Sequence, residues 1–255
     1  MNSRTLTRPL WTNSLTWFLC FGLFVACLLA WGDLAEDVWN RERFAWDAPV
    51  ALAIHQLQQP WIDHVMQAMG QIGEIGAVSV AGVGMLWFWW RRHRHTAIAL
   101  FISLGGALTL NTIFKFLFAR ARPHLFPPLM LETDYSFPSG QVIAAVAVYG
   151  FLAVLLWRSR HYGWAGFAGL LVGAAAVSRI YLGVHYPSDV FGSLTLGTLW
   201  LFTLFIVYGW YEDTTDWSSE RIVQVRQQAI EYGIPPESIE RVLAEEQPDL
   251  KLSVK

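Results

Sequence analysis

The chain has 255 residues, of which 54% are apolar and only 15% are charged, and its formal net charge is −2. Soluble domains are usually about 25% charged, so this composition excludes an ordinary water-exposed globular protein. The near-neutral balance also gives no support for a nucleic-acid partner or a strongly anionic one, since both leave a basic excess in the sequence.

Six stretches are long and apolar enough to predict transmembrane helices. A helix needs about 20 apolar residues to cross the hydrocarbon core of a bilayer. Several stretches end in Trp or Tyr, which are enriched at membrane interfaces. The sequence therefore predicts an all-α integral membrane protein. In chain order its six predicted spans cover residues 15–31, 72–90, 97–118, 142–157, 164–181 and 190–210.

The long connection between the first two spans is predicted to be helical as well. Residues 33–71 carry apolar side chains at helical spacing, among them Val50, Ile54 and Leu57. This pattern is typical of an amphipathic helix, or a pair of helices, lying at the membrane interface. Pro60 is expected to break it, because proline lacks the N–H group that a helix interior needs.

The C-terminal part of the chain differs from the rest in composition. Residues 212–255 are polar and charged, with helical patterning over 222–232 and again over 237–245. We predict a membrane domain over residues 1–211, with its motif core at about 70–210, followed by a cytosolic helical tail.

The basic residues of the loops predict the orientation in the membrane. Short loops rich in Lys and Arg face the cytoplasm. The predicted extracytoplasmic side carries six cations, three of which belong to the motifs described below. Both termini are therefore expected in the cytoplasm, with the protein in the inner (plasma) membrane. Seven cations lie on the predicted cytoplasmic side: Arg4, Arg8, Arg91, Arg92, Arg94, Arg158 and Arg160.

Positively charged residues also gather at the predicted extracytoplasmic ends of the spans. Charges at membrane depth are costly and therefore point to a function. Without an anion, Lys115, Arg122 and Arg179 would repel one another, and both residue types suit phosphate oxygens. Ser139 and Gly140 stand where a helix is expected to begin, with a hydroxyl and backbone N–H groups available for an anion.

His185 and Asp189 add a candidate nucleophile and its partner. If the sixth helix begins at His185, the carboxylate four residues later reaches one ring nitrogen and leaves the other lone pair free to attack. An oriented imidazole beside an anion clamp is typical of phosphoryl transfer. The sequence has no carboxylate cluster suited to two Mg²⁺ ions, so no metal or other cofactor is predicted.

Each of these residues also has a purely structural interpretation. Arg120 is expected to be an anchor that reaches toward the lipid headgroups. The Pro138-Ser139-Gly140 sequence is an ordinary turn signal. Glu74, inside the second span, is either a satisfied polar group or a cap on the site. The convergence of the other residues on one membrane face favours the functional interpretation.

Three groups of residues together resemble the type 2 phosphatidic acid phosphatase superfamily, which includes bacterial lipid phosphatases and vanadium haloperoxidases. The family has three motifs. The first is a Lys followed, after six residues, by Arg-Pro, and the second is Pro-Ser-Gly-His. The third is Ser-Arg, then His after five residues and Asp after three more. A haloperoxidase is disfavoured because those relatives are soluble. The motif positions are held here by Lys115, Arg122, Pro123, Pro138, Ser139, Gly140, Gln141, Ser178, Arg179, His185 and Asp189.

The resemblance implies a role for each matched residue. His185 would be the nucleophile that forms a phosphohistidine, and Asp189 would orient it. The substrate would be a membrane lipid phosphate of the phosphatidic acid, phosphatidylglycerophosphate or isoprenyl diphosphate type, reached from the extracytoplasmic leaflet of the bilayer. The phosphoryl oxygens would be bound by Lys115, Arg122, Ser139, Gly140 and Arg179.

Gln141 departs from the family's pattern, because the second motif normally ends in the His that serves as general acid. An amide donates a hydrogen bond but supplies no proton at ordinary pH. Gln141 is therefore a laboratory substitution, a natural feature of an enzyme specialised for diphosphates, or the mark of a catalytically silent lipid-phosphate-binding protein. A phosphotransferase that uses a second lipid as acceptor is a further alternative. The sequence does not predict the oligomeric state.

Overall fold

The computed structural model describes the backbone of residues 14–231 and the side chains of residues 18–209, and this part of the chain contains helices and no strands. Two π-helical segments, Ile72–Gly76 and Val146–Gly150, join α3 to α4 and α6 to α7. The helices are α1 (Ser14–Trp39), α2 (Asp47–His55), α3 (Pro60–Gln71), α4 (Ala77–Trp90), α5 (Arg94–Phe118), α6 (Gly140–Ala145), α7 (Phe151–Arg158), α8 (Tyr162–Tyr181) and α9 (Pro187–Glu231).

Six of the helical stretches are long and apolar enough to cross a membrane, which confirms the predicted all-α fold with six spans. Large apolar side chains such as Leu86 and Phe116 are more than 70% exposed, as expected of surfaces that face lipid. The six stretches are Phe18–Trp39, Pro60–Trp90, Arg94–Phe118, Gly140–Arg158, Tyr162–Tyr181 and Pro187–Gly209.

The connection between the first two spans is shorter than predicted. It contains α2, but residues 60–71 belong to a helical stretch of 31 residues that begins at Pro60 and continues to Trp90. Pro60 does interrupt the pattern, as expected. It does so by starting a helix, because the first helical position needs no N–H donor.

The second span widens into a π-helical turn where it passes the start of α6. The Tyr149 hydroxyl donates to the Ile72 carbonyl at 2.8 Å, which satisfies a backbone group that the altered turn releases. At Gly73 a Cβ atom would lie 2.9 Å from the Gln141 carbonyl oxygen. The absent side chain therefore lets the second span approach the start of α6 closely.

α6 is enclosed by the other helices. Val142 and Ile143 are at most 1% exposed, and Ile143 packs with Ala107 of α5 and Leu196 of α9. A helix that is apolar on all sides is expected to be buried in this way. The packing fixes the position of residues 138–141, which lead into it.

Contacts divide the chain into two units, Met1–Ile206 and Val207–Lys255. In the second unit the described backbone is helical as far as Glu231, which includes most of the predicted helix over 222–232. The predicted helix over 237–245 lies outside the described residues, as do Arg4 and Arg8. The membrane-domain and tail boundaries stay a prediction.

Candidate active site

The residues predicted to form a site lie together where α5 and α8 end and α6 and α9 begin. Arg122 lies in the loop 119–139, and its Nη1 is 3.4 Å from His185 Nε2, in the turn between α8 and α9. The same loop leads into α6, and its residues contact Lys115 near the end of α5 and Arg179 near the end of α8. The structure thus brings together Lys115, Arg122, Ser139, Gly140, Gln141, Arg179, His185 and Asp189.

The His185 ring is buried and held in one orientation. Its Nδ1 lies 2.7 Å from the Ser136 carbonyl oxygen, and because a carbonyl only accepts, Nδ1 carries the hydrogen. Nε2 faces Arg122, which only donates, so Nε2 carries the lone pair. Burial lowers the pKa of His185 below its ordinary value, and the Arg122 and Arg179 charges add to this, although Asp189 acts in the opposite direction. The ring is consequently neutral at neutral pH.

Asp189 contacts the ring less directly than the sequence suggested. Its carboxylate is 3.7 Å from His185 Nδ1, which is beyond a hydrogen bond. The carboxylate instead accepts hydrogen bonds from the Ser136 hydroxyl and from the Tyr186 backbone N–H at 2.8 Å. The reason is that α9 begins at Pro187, so His185 lies outside the helix and the spacing of four residues does not stack the two side chains.

Arg120 is not the surface anchor that the sequence suggested. Its guanidinium forms ion pairs with Asp189 and with Asp47, at 3.1 Å for the latter, and donates to the Ser188 hydroxyl at 2.8 Å. The same group lies over the Tyr186 ring at 4.5 Å from the centroid. Asp47 is 4% exposed and also accepts from the Ser188 N–H at 2.8 Å. This buried network fixes the carboxylate beside His185.

Sequence reasoning missed Asp47 entirely. It lies in α2, 141 residues before its partner Ser188, and no spacing rule connects the two. Its only signal in the sequence is a carboxylate close to a run of apolar residues. Arg120 carried a better signal, since it lies two residues before Arg122 of the first motif.

Several buried polar atoms on the cation side have no protein partner among the described residues. They include the Ser139 hydroxyl and Arg179 Nε. Arg179 is completely buried, and a Cβ atom at Gly70 would lie only 2.8 Å from its Nη1. The Ser139 N–H already donates to the Ser193 hydroxyl at 2.6 Å, so its own hydroxyl is the group left to bind an anion.

Gly140 has a steric reason to be glycine. A Cβ atom there would lie 3.0 Å from Asn111 Nδ2. Asn111 stands one helical turn before Lys115 on the same face of α5 and is itself buried. The side-chain amide of Asn111 therefore packs against the second motif.

A carboxylate that the sequence analysis did not single out lies among these groups. Glu132, in the loop 119–139, accepts from Arg122 Nη2 at 2.6 Å through Oε2. Its Oε1 accepts from Arg179 Nη2 and, at 3.1 Å, from Gln141 Nε2. The side chain is 13% exposed.

Asp134 forms a second acidic contact two residues later. It pairs with both Lys115 and Arg122 and is 56% exposed. Partial burial alone would raise the pKa of its carboxyl, but the hydrogen bonds and charges of Lys115 and Arg122 hold it below the usual range. All three cations predicted to bind an anion are therefore paired with carboxylates from one loop.

The arrangement suits transfer of an anionic group to a nitrogen nucleophile. A neutral imidazole presents its lone pair to Arg122, and the loop 119–139 joins Arg122 to Lys115 and Arg179 through its carboxylates. The two guanidinium groups are planar and match phosphate oxygens. Burial strengthens these electrostatic interactions, because the surroundings screen charge less than water does.

Comparison with known proteins also relates the chain to phosphatases. The model of the PAP2 superfamily matches residues 96–213. Phosphatidylglycerophosphatase B of Bacillus subtilis is 32% identical over 169 residues, which cover 61% of this chain and 80% of that protein. An undecaprenyl-diphosphatase of Sulfolobus acidocaldarius is 35% identical over 114 residues, which cover 42% of this chain and 53% of that protein.

Solved structures resemble the fold as well. The crystal structure of a transmembrane PAP2-type phosphatidylglycerolphosphate phosphatase from Bacillus subtilis has a TM-score of 0.62 at 28% identity, and the match covers 75% of this chain and 96% of that one. The crystal structure of LpxE from Aquifex aeolicus has a TM-score of 0.51 at 22% identity, covering 65% and 95% of the two chains. The second likeness concerns the fold alone.

Proposed function

Because the chain belongs to the PAP2 superfamily, we propose that it is a multi-pass membrane phosphatase that removes phosphate from the headgroup of a lipid. The substrate is a phosphomonoester or a diphosphate, of the phosphatidic acid, phosphatidylglycerophosphate or isoprenyl diphosphate type. The observation that carries this proposal is the buried His185 ring, whose unprotonated Nε2 faces Arg122 at 3.4 Å.

In the proposed reaction, His185 Nε2 attacks the phosphorus atom while the bond from phosphorus to the leaving oxygen breaks. The leaving oxygen keeps the electron pair: a diphosphate expels a lipid phosphate, and a monoester expels an alkoxide that takes its proton from water, since Gln141 supplies none. The ring becomes a phosphohistidine with a positive charge, which the Asp189 carboxylate at 3.7 Å from Nδ1 balances. The Nδ1–H stays bonded to the Ser136 carbonyl. Water then attacks the phosphorus atom and the P–Nε2 bond breaks with its electron pair returning to Nε2, while the water proton passes to the released phosphate or to solvent, which restores the neutral ring.

The phosphoryl oxygens bind to Lys115, Arg122 and Arg179, with the Ser139 hydroxyl and the Gly140 backbone beside them. Charge builds up on these oxygens in the transition state, and three fixed cations neutralise it. In this proposal the cations do the work that metal ions do in other phosphatases, so no cofactor is required.

The site faces the extracytoplasmic leaflet in this proposal. The loops after the second and fourth spans, together with the helix residues next to them, carry Arg91, Arg92, Arg94, Arg158 and Arg160, at the opposite helix ends from the motifs. An excess of such residues marks the cytoplasmic side. The lipid then enters from the outer leaflet of the inner membrane, and both termini are cytoplasmic.

Phosphate release from short-chain phosphatidic acid and from farnesyl diphosphate tests the proposal. The purified protein in detergent is expected to release phosphate from at least the diphosphate, whose leaving group needs little protonation. Binding of both lipids without release would favour a catalytically silent protein. Phosphate transferred to an added acceptor lipid, with none in solution, would favour a phosphotransferase.

The buried network behind the site also has a measurable role. We expect Asp47→Asn to lower the free energy of unfolding by about 1–3 kcal/mol, because Arg120 loses one of its two buried carboxylate partners. Thermal unfolding in detergent measures this loss as a lower Tm. Asp33→Asn removes an exposed carboxylate of α1 and is the matched control. Equal Tm values for the two variants would show that the Asp47 ion pair contributes nothing to stability.

A further inference from the structure

The phosphate site of the described structure is filled by the protein's own carboxylates. Arg122 Nη2 and Arg179 Nη2, which point into the site, both bind Glu132. Lys115 Nζ and Arg122 also bind Asp134. Both acids belong to the loop 119–139, which lies between the first and second motifs. The nitrogen atoms that would hold a phosphoryl group therefore already have anionic partners.

A carboxylate and a phosphoryl group compete for the same donors. Both present a pair of oxygens that can accept two N–H groups of one Arg side chain. Three cations stand against two carboxylates here, and a phosphomonoester adds nearly two further negative charges at neutral pH. Glu132, which is 13% exposed, and a phosphoryl group bound to the same two arginines would repel each other strongly, because burial reduces the screening of their charges. This repulsion favours an exchange, in which the carboxylate leaves as the phosphoryl group arrives.

Glu132 is the stronger competitor of the two acids. Its side chain is 13% exposed and pairs with Arg179, which is completely buried. Asp134 is 56% exposed, and ion pairs so open to solvent contribute little. The Gln141 amide also donates to Glu132 Oε1, so the residue that replaces the family's acid stabilises the occupied site.

We propose that Glu132 is a specificity-determining residue, a tethered carboxylate that competes with the lipid phosphate for Arg122 and Arg179. A headgroup gains access only if it binds these two residues better than Glu132 does. The competition favours headgroups with more negative charge, so a diphosphate displaces Glu132 more readily than a monophosphate. The lipid part of this inference rests on the proposed function, but the competition for phosphate does not.

Binding of inorganic phosphate tests the competition without turnover. The full chain in detergent is titrated with orthophosphate by calorimetry, alongside Glu132→Gln, which keeps the shape and removes the charge. We expect Glu132→Gln to bind phosphate about 10-fold more tightly, since the contacts to Arg122 and Arg179 that must be broken no longer involve a charged carboxylate. Glu132→Ala is expected to change affinity in the same direction, and thermal unfolding establishes that both variants are folded.

Two further variants distinguish the effect of a direct contact with the arginines from the effect of net charge on phosphate affinity. Asp134→Asn removes the exposed acid of the same loop and is expected to tighten phosphate binding by less than about threefold. Glu74→Gln removes an exposed carboxylate of the second span that lies near Arg179 without an ion pair to it, and the affinity should stay within about twofold of wild type. Equal gains for Glu132→Gln and Glu74→Gln would overturn the proposal, because net charge alone would then explain them.

Unchanged or weaker phosphate binding in folded Glu132→Gln and Glu132→Ala would also overturn it, since Glu132 would then hold Arg122 and Arg179 in place for the substrate. With lipid substrates, Glu132→Gln should lower KM more for a monophosphate than for a diphosphate. The two proposals fail separately. Tighter phosphate binding without any lipid hydrolysis refutes the proposed function only, and hydrolysis with unaltered phosphate binding refutes the competition only.

Discussion

His185→Ala is expected to abolish the covalent phosphoenzyme and to lower turnover by on the order of 10⁴-fold or more, as loss of a nucleophile does in other enzymes that use a covalent intermediate. The reason is that the described site offers no other unprotonated nitrogen that faces the cations: Gln141 carries an amide, and Lys115 and the arginines are positively charged. The remaining cations would still bind the lipid, so KM should change much less than kcat.

Labelled phosphate provides the direct measurement. The protein is mixed with a lipid labelled at its terminal phosphate and quenched in alkaline detergent, because phosphohistidine survives alkali and decays in acid. His64→Ala is the matched control, since His64 is an exposed histidine of α3 whose Nδ1 lies 2.6 Å from the Pro60 carbonyl oxygen. A labelled intermediate that persists in His185→Ala would refute the assignment of the nucleophile.

The residues that sequence alone could identify are those tied to regular elements. Lys115, Arg179 and Asp189 each lie within a turn or so of a helix end, and the long apolar runs beside them predict where those ends fall. His185 follows from its position between two such runs. Hydrophobic length therefore predicted both the spans and the meeting of the motifs at one end of the helices.

The residues that sequence could not identify depend on irregular loops or on distant contacts. Glu132 reaches the site from the loop 119–139, which has no periodicity from which a side-chain direction could be read. Asp47 meets Ser188 across 141 residues. Ser136 contributes a backbone carbonyl, which no residue type reveals. Pro60 was ambiguous because proline both breaks a helix and begins one.

Gln141→His is expected to raise hydrolysis of a monophosphate lipid by about 10²–10⁴-fold, the usual contribution of a general acid. The leaving group of a lipid monophosphate is an alkoxide, which is strongly basic and needs a proton. The leaving group of a lipid diphosphate is a lipid phosphate, which needs a proton much less, so its hydrolysis should rise by a smaller factor. The two kcat values, measured on short-chain phosphatidic acid and farnesyl diphosphate, give the comparison. Equal stimulation of both substrates would contradict the leaving-group argument.

Gln141→Leu separates proton donation from the loss of the amide. The Gln141 amide donates to Glu132 at 3.1 Å, so either substitution removes this hydrogen bond and weakens the hold on that carboxylate. If release of Glu132 were the cause, Gln141→Leu would stimulate hydrolysis as much as Gln141→His. Proton donation predicts that only the histidine variant gains activity on the monophosphate.

The pH profile of kcat/KM carries an independent signature of the same change. His185 must be unprotonated to attack, and burial holds its pKa below the ordinary value of 6.5. The wild-type rate should therefore rise with pH below 6.5 and then stay level, because Gln141 does not titrate. Gln141→His adds an acid that must keep its proton, so its rate should fall again on the alkaline side. A diphosphatase specialised around Gln141 would be fast before the substitution, whereas a silent binding protein would stay slow after it.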